Sequence, residues 1–220
     1  MTDEYATSKK NKVRQLREKA AYDKETVHGI LDAALVATVA FVQDGAPVVV
    51  PMISGRENET IYLHGARKAR VIRLLGQNDS ACMNVTLLDG IVFARSTFNS
   101  SMNYRSATVF GTPRLIDGHE EKLHAMRVIS EHTMPGRWDE VRDSQEREVK
   151  MTGVIALDIE TASAKVSAGM PEDEDEDYEI PIWAGVIPIE TTTGQLQTDD
   201  RVLDGVKPSS VVQELQGKII

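Results

Sequence analysis

Short apolar segments joined by tight turns are the pattern that most restricts the fold of this chain. Residues 35–43 and 46–54 are rich in β-branched side chains and flank Asp44-Gly45, a dipeptide typical of two-residue hairpin loops. A second Asp-Gly pair, at 89–90, also lies between apolar runs and predicts another hairpin. Because strands joined by hairpins pair antiparallel, we predict an antiparallel sheet rather than alternating strands and helices.

Helical periodicity occurs in a few places between these segments. Asp23 is a candidate N-cap for a helix over residues 24–34, and a second helix over 120–133 is followed by Pro135-Gly136. The other predicted elements are strands at 61–65, 103–116, 154–160 and 163–169 and helices over 67–76 and 210–216. The pattern predicts a mainly β, α+β fold, a small antiparallel barrel with peripheral helices.

The chain is predicted to form one domain with tails. Residues 1–20 are polar and predict a flexible N-terminal arm, residues 21–190 the folded domain, and residues 191–220 a C-terminal tail with a short helix. The acidic run at 172–177 is expected to be a solvated loop. The alternative is a mobile acidic lid over a ligand.

Composition excludes several classes of function. A net charge of −9 and a pI near 5.1 argue against general binding of nucleic acid. The single cysteine, Cys82, excludes an internal disulfide and a multi-cysteine zinc site, and it is expected to be a small buried residue. The spacing of His119, His124 and His132 does not suit a helical metal pair, so no metal site is predicted. Without a leader-like or membrane-spanning segment, we expect a cytoplasmic protein that does not bind a membrane.

Four cations follow the strand at 61–65. Arg67, Lys68, Arg70 and Arg73 fall within seven residues, at the predicted start of a helix. Cations there oppose the helix dipole, by roughly 0.3–1 kcal/mol each, unless an anion lies beside them. This pattern therefore predicts a phosphate-bearing ligand, for which flavin mononucleotide (FMN) is our interpretation.

Several segments in a specific order carry a resemblance to a known family. They are AAYDKETVHGILDAA, DGAPVVVPMIS, IYLHGARKARVIRLL, VTLLDGIVFARSTFNSSMNYRSATVFG, EHTMPGRWDEVR and IWAGVIPIE, within residues 14–190. The chain resembles the FMN-binding split-barrel superfamily of pyridoxamine 5′-phosphate oxidase-like proteins, in particular the flavin-nucleotide-binding branch related to nitroimidazole-resistance reductases. The resemblance implies a six-stranded antiparallel split β-barrel of Greek-key type, a homodimer, and FMN at the dimer interface.

The resemblance also implies a set of site residues. A strand along the flavin ring would contribute backbone groups, and His64 would lie beside the ring, although a structural histidine is the alternative. Arg70 matches the family arginine best, while Ala69 stands where the family often has a serine. The implied cofactor-binding residues are Pro51, Met52, Ile53, Ser54, His64, Gly65, Ala66, Arg67, Lys68 and Arg70, with Asn103, Tyr104, Arg105 and Ser106 from the partner subunit, and Trp183.

The expected activity is that of an FMN-dependent oxidoreductase. It would pass electrons from NADH or NADPH to a small organic acceptor, as in nitroreductase-like or pyridoxamine phosphate oxidase-like chemistry. No side chain stands out as an obligatory acid or base. Two alternatives are a flavin-binding module without turnover, used for sensing or storage, and a split barrel that binds haem or a deazaflavin. For haem, His64 is the reasonable axial ligand.

Overall fold

The structure, a computed structural model, describes residues 3–219. Within them ten strands form one antiparallel sheet. The strands are β1 Ala20–Ala21, β2 Val36–Gln43, β3 Ala46–Glu57, β4 Thr60–Ala66, β5 Ala81–Phe93, β6 Ser101–Gly111, β7 Pro113–Ile116, β8 Thr152–Asp158, β9 Thr161–Ser167 and β10 Gly185–Pro188. The α-helices are α1 Lys24–Ala33, α2 Arg70–Leu75, α3 His119–Thr133, α4 Glu146–Met151 and α5 Ser210–Glu214. The predicted mainly β, α+β class is confirmed.

The sheet closes on itself because two of its strands are bent. β7 follows β6 after a single residue, Thr112, and β9 follows β8 after two residues. The β6–β9 ladder ends at Phe110 opposite Thr161, and pairing resumes in the β7–β8 ladder at Pro113 opposite Leu157. Counted as bent strands, β6/β7 and β8/β9 complete a ring of six with β5, β2, β3 and β4. The predicted class, an antiparallel split barrel, is thus confirmed, while the sheet has ten strands, of which β1 and β10 lie at its edges.

A glycine lets the two bent strands approach each other at the corner. A Cβ atom on Gly111 would lie 2.0 Å from the carbonyl oxygen of Asp158, so the backbones could not approach as closely with any other residue. The N–H of Glu160 donates to the carbonyl of Phe110 at 3.0 Å, which carries the pairing through the bend. The sequence run 103–116, predicted as one strand, is therefore bent into β6 and β7.

The main core fills the barrel. Inward-facing side chains alternate along the strands and are almost fully buried, including Ile61, Leu63, Met83, Val85, Val109, Ile155 and Leu157. Burying each such side chain contributes roughly 1.5–3 kcal/mol. Ile72 and Leu75 from α2 and Val27 from α1 join the same cluster.

Helix α3 packs on the outside of β3 and β4. Tyr62, Ile116, Ala125, Ile129 and Val154 form a second buried cluster under this helix. The helix comes so close to β3 that a Cβ on Gly55 would lie 2.7 Å from the Cα atom of Ile129. Gly55 therefore fixes the distance between the helix and the barrel wall.

The hairpin predicted at Asp89-Gly90 is wrong. β5 runs through both residues as one long strand, with a register shift between Leu88 and Gly90. The chain does not turn here because β6 pairs with β5 on both sides of the irregularity. Gly90 instead allows β10 to approach, since a Cβ there would lie 2.9 Å from a methyl carbon of Val186.

The segment for which composition predicts a flexible arm packs against the domain. Tyr5 and Asn11 are both buried. The Asn11 amide donates to the carbonyl of Ala162 in β9 at 2.8 Å. The Tyr5 hydroxyl bonds Glu59 at 2.6 Å and the His28 ring of α1 at 2.8 Å. The predicted boundaries of the domain and its tails stay predictions.

The acidic run is mostly exposed and has one buried anchor. The Asp173 side chain is fully buried and pairs with Arg95 just beyond β5, at 3.0 Å from its Nη1 and 2.8 Å from its backbone nitrogen. A short 3-10 helix, Asp175–Glu179, follows. Burial of one carboxylate against a cation ties this segment to the barrel.

Candidate functional site

The barrel wall opens between β3 and β4. The two strands pair through residues 54–57 and 60–63. Beyond that point residues 46–53 of β3 pair with β2, and residues 64–66 of β4 pair with β8. Within residues 3–219 the facing edges of these two stretches have no β-strand between them, so their N–H and C=O groups can bond a ligand. We call this opening the β3–β4 gap.

The predicted ring-contacting strand lines one side of the β3–β4 gap. Met52 and Ser54 are buried, with their side chains turned into the barrel, whereas Pro51 and Ile53 are exposed. Side chains alternate along a strand, so the exposed pair shares the outer face of the sheet. What this strand offers a ligand is therefore its backbone edge and two apolar side chains.

His64 lies on the other side of the gap. It directly follows Leu63, the last residue of β4 that pairs with β3, and Ile53 directly precedes Ser54, which is the partner of Leu63. His64 and Ile53 therefore share the outer face. Gly65 and Ala66 continue along β8 to the end of the strand. A Cβ on Gly65 would lie 3.2 Å from the Ile72 side chain, so glycine here also lets α2 pack closely.

The His64 ring is available as a ligand or a donor. No described residue forms a hydrogen bond with the ring, and the ring keeps contact with solvent in the single chain. The barrel wall on one side of the ring disfavours the charged form, so this partial burial lowers the pKa of His64 below its usual value of 6.5. The imidazole is therefore neutral at pH 7 and keeps a free nitrogen lone pair.

Arg70 spans the open end of the gap. It is the first residue of α2, and its Nε donates to Gln43 Oε1 at 3.0 Å, with a second bond from Nη2 to the same oxygen. Gln43 ends β2, next to the hairpin that leads into β3. The amide orients the guanidinium without neutralising it, so the positive charge remains available to an anion.

Helix α2 begins later than predicted, which separates the cations. The helix starts at Arg70, with Ala69 as an N-cap that supplies no side-chain acceptor. Arg67 precedes the helix because its backbone N–H donates to Met151 at 2.8 Å. Its side chain points to Asp117 at 3.5 Å, whereas Arg70 points to β2. The predicted helix start at residue 67 is wrong, because Arg67 and Lys68 precede the helix and Arg70 begins it.

The four β6 residues lie away from the β3–β4 gap. β5 and β2 separate β6 from β3 in the sheet. Arg105 forms a two-point ion pair with Asp89, at 2.7 and 2.9 Å, and this bonding raises the pKa of Arg105. Asn103 donates to Gly169, and Ser106 to Lys165. Tyr104 and its neighbours are thus not brought to the site of the same chain; their assignment to a partner subunit stays a prediction.

Trp183 lies at the other end of β5. Its ring is 68% exposed and packs against Phe93, with ring centroids 6.0 Å apart. A Cβ on Gly185 would lie 2.8 Å from the Trp183 ring, so the indole lies over this glycine at the start of β10. Within one chain Trp183 belongs to an exposed aromatic corner rather than to the β3–β4 gap.

The outer face of β2 and β3 is unusually apolar for an exposed surface. Val36, Val42, Val49 and Ile53 are 43–61% exposed and share this face. Leu88 on β5 extends it. Contiguous exposed apolar surface of this kind marks an interaction site.

The structure describes no group of three or more His, Cys, Asp or Glu residues that could hold a metal ion. Three of the histidines are bonded to protein: His28 to Tyr5, His124 to Glu57, and His132 to the carbonyl of Ala34. Cys82 is half-buried, and burial raises the pKa of its thiol. None of the helices within residues 3–219 is long and apolar enough to cross a membrane.

The sequence does not predict the placement of two residues, Gln43 and Lys122. The sequence predicts Gln43 at the end of a strand, and a polar residue before a hairpin gives no signal that it bonds Arg70. The sequence predicts Lys122 on a helix without indicating burial, yet the structure leaves it only 3% exposed. Its position next to apolar Leu123 in the first turn of a helix does not distinguish a buried amine from a surface one.

Comparisons with known proteins identify the family of this chain. The family model described as pyridoxamine 5′-phosphate oxidase matches residues 23–166, which is more than half of the chain. The chain belongs to this family. Its members share a flavin-binding split-barrel fold, as the resemblance predicted. A search of curated proteins gave no match.

Three solved structures show how far the similarity extends. The flavocytochrome Anf3 from Azotobacter vinelandii has a TM-score of 0.90 and 36% identity, covering 96% of this chain and 98% of its own. An FAD and haem binding protein from Mycobacterium smegmatis has a TM-score of 0.87 and 37% identity, covering 90% and 98%. A protein described as a putative 5-nitroimidazole antibiotic resistance protein from Bacteroides thetaiotaomicron has a TM-score of 0.58 and 27% identity, covering 67% and 86%.

Proposed function

We propose that this protein is a flavin-dependent redox protein that also binds haem. The observation that carries the proposal is similarity along nearly the whole chain to a flavocytochrome and to an FAD and haem binding protein. The family match alone supports the flavin. The second of these proteins is described as binding FAD, which supports FAD as the flavin here. FMN, expected from the sequence, is the alternative.

The residues of the β3–β4 gap fit a flavin. Unpaired strand edges at residues 51–53 and 64–66 supply donors and acceptors for the polar edge of the ring. Arg70 supplies a charged donor for phosphate, because its partner Gln43 leaves the charge uncompensated. Lys68 is exposed beside it. The Arg67 side chain would have to leave Asp117 to join them.

His64 fits an axial haem ligand. A ligating imidazole must be neutral, and burial lowers the pKa of this one. Three of the five histidines are engaged by protein groups, and His119 is exposed at the start of α3. His64 therefore combines a free ring with a position beside the flavin residues.

Bound flavin and haem would supply two-electron and one-electron chemistry. The chain would position both groups, and we assign no described side chain to proton transfer, since no carboxylate is bonded to the His64 ring within residues 3–219. A nicotinamide donor, NADH or NADPH, and a small organic acceptor are the reaction partners that we propose. A role in flavin storage or sensing without turnover is the alternative.

We also propose that two copies of the chain associate. The apolar face of β2 and β3 borders the β3–β4 gap, so a partner seated on it would cover the flavin residues. In such a dimer Asn103, Tyr104, Arg105, Ser106 and Trp183 could reach the gap of the other subunit. A homodimer would thus complete a site that one chain leaves open.

Mass spectrometry of the small molecules released from the purified, denatured protein tests the cofactors. We expect FAD and haem b. FMN without haem would instead support an FMN-binding flavoprotein that binds no haem. Anaerobic titration with NADH and with NADPH then tests turnover. Bleaching of the flavin absorbance by one of them supports an oxidoreductase, and no bleaching by either supports the alternative of a binding module.

A further inference from the structure

A cleft of about 650 Å³ is lined by Arg67 but not by Arg70, whose side chain bonds Gln43 instead. The start of α3, one face of α4 and the segment between β4 and α2 form its walls. Its lining residues are Arg67, Asp117, His119, Lys122, Ser144, Glu146, Val149 and Lys150. We call it the α3–α4 cleft.

Lys122 is the unusual residue in this cleft. Its side chain is buried, at 3% exposure, and its Nζ donates to the carbonyl of Thr152 at 3.2 Å. An ammonium group carries three donors, and no carboxylate of the described residues lies within ion-pair distance of this one. A buried amine without a counter-ion is costly in its charged form. Burial, and then the nearby Arg67, lower the pKa of Lys122, while the charge of Asp117 acts in the opposite direction.

Two further cations face the same space. The Arg67 side chain is half exposed, and its contact with Asp117, at 3.5 Å, is long for an ion pair. Lys150 is exposed and paired with Glu146 at 2.6 Å. The lining of the cleft thus contains three cations and two carboxylates, in a chain whose net charge is −9. An anion seated between Lys122 and Arg67 would remove their mutual repulsion.

The start of α3 adds backbone donors. His119 begins this 15-residue helix and lines the cleft, and Gly118, the N-cap, has no side chain to accept from the first turn. Unsatisfied N–H groups at a helix start favour an anion. Glu120 and Glu121 also lie in this turn, so the cations rather than the helix dominate the attraction.

We propose that the α3–α4 cleft binds the phosphate group of a small phosphorylated molecule, with Lys122 as the buried anchor and Arg67 and Lys150 at its mouth. Guanidinium and ammonium groups together suit a phosphate oxygen cluster. The volume leaves room for the rest of the molecule. This site is distinct from the flavin phosphate proposed at Arg70, and it does not depend on the proposed function.

The test uses the purified protein with whatever cofactor it retains. Inorganic phosphate is titrated by isothermal calorimetry, at an ionic strength held constant with chloride, into wild type and variants. Lys122→Met keeps the apolar stem and removes the charge. Lys150→Gln probes the exposed mouth in case Lys122→Met does not fold. Arg73→Gln is the matched control, because Arg73 is an exposed cation on α2 that does not line this cleft.

We expect saturable binding of phosphate that Lys122→Met weakens by about tenfold or more and Lys150→Gln by about threefold, while Arg73→Gln changes it less than about twofold. No binding above the chloride background would overturn the proposal. Equal weakening in all three variants would do the same, because it would show general attraction of an adventitious ion only. Loss of flavin from Lys122→Met with no phosphate binding would assign the cleft to the flavin and also refute a second site.

Discussion

Arg70 and Gln43 are joined by two hydrogen bonds to one amide oxygen, which tie the first residue of α2 to the last residue of β2. This contact spans the mouth of the β3–β4 gap. Arg67 and Arg105, the other arginines of the predicted site, each face a carboxylate instead. Among these three arginines of the predicted site, Arg70 is therefore the one that pairs with no carboxylate of residues 3–219.

Replacing Arg70 with alanine should therefore weaken flavin binding. We expect the flavin Kd, measured by fluorescence quenching, to rise about tenfold or more, because a charge-assisted hydrogen bond contributes roughly 1.5–3 kcal/mol. Arg73→Ala removes an equal charge from the same helix and should leave the Kd within about twofold. Unchanged flavin binding in Arg70→Ala would remove this residue from the site.

The contact between α3 and β3 makes Gly55 sensitive to substitution. In Gly55→Ala the added Cβ would lie 2.7–2.9 Å from backbone atoms of Val128 and Ile129, so helix or strand must shift. We expect the free energy of unfolding in urea to fall by roughly 1–3 kcal/mol. Gly29→Ala, in α1, meets no described atom within 4 Å and should be neutral or stabilising by up to about 1 kcal/mol. Equal stability of both variants would show that α3 is not held as closely as described.

The apolar face of β2 and β3 is the proposed dimer interface, so a charge placed on it should disrupt the dimer. Val49 is 61% exposed at its centre, and Val49→Asp would place a charge in the proposed interface. We expect sedimentation velocity to show a dimer for wild type and mostly monomer for this variant, with flavin lost as well. Val202→Asp, in the exposed C-terminal segment, should remain dimeric. A wild-type monomer that retains flavin would contradict the shared site.

The lowered pKa of His64 gives a pH dependence with a defined sign. A ligating imidazole must be unprotonated, so haem retention should be full above the usual histidine pKa of about 6.5 and should fall as pH drops through the lower pKa of the folded protein. Haem release on stepping from about pH 8 to about pH 5, followed by gel filtration and absorbance, measures this. His119→Ala should behave like wild type. A His64→Ala variant that binds haem as wild type does would exclude His64 as the ligand.

Much of the fold could be predicted from the sequence because local patterns determine it. The β2–β3 hairpin has both β-branched strands and an Asp-Gly turn, and α1 has a cap and a periodic apolar face that the structure confirms. The second Asp-Gly pair failed because long-range pairing of β5 with β6 and β10 overrides a local turn preference. The bend at Gly111 was equally invisible, since it depends on Asp158, which is distant in the sequence.

The candidate site was predictable in part for the same reason. Residues 51–54 and 64–66 are placed by two neighbouring strands, so a correct strand assignment brings them together. The directions of Arg67 and Arg70 could not be predicted, because they depend on Asp117 and Gln43 from other elements. Lys122 was missed because its burial arises from the packing of α3 against β8, not from its own helix.

The absorption spectrum of the freshly purified protein tests the central claim most directly. We predict the bands of an oxidised flavin together with a haem Soret band, from one preparation and in constant proportion across the gel-filtration peak. A protein that shows neither set of bands, even after reconstitution with FAD and haemin, would contradict the account.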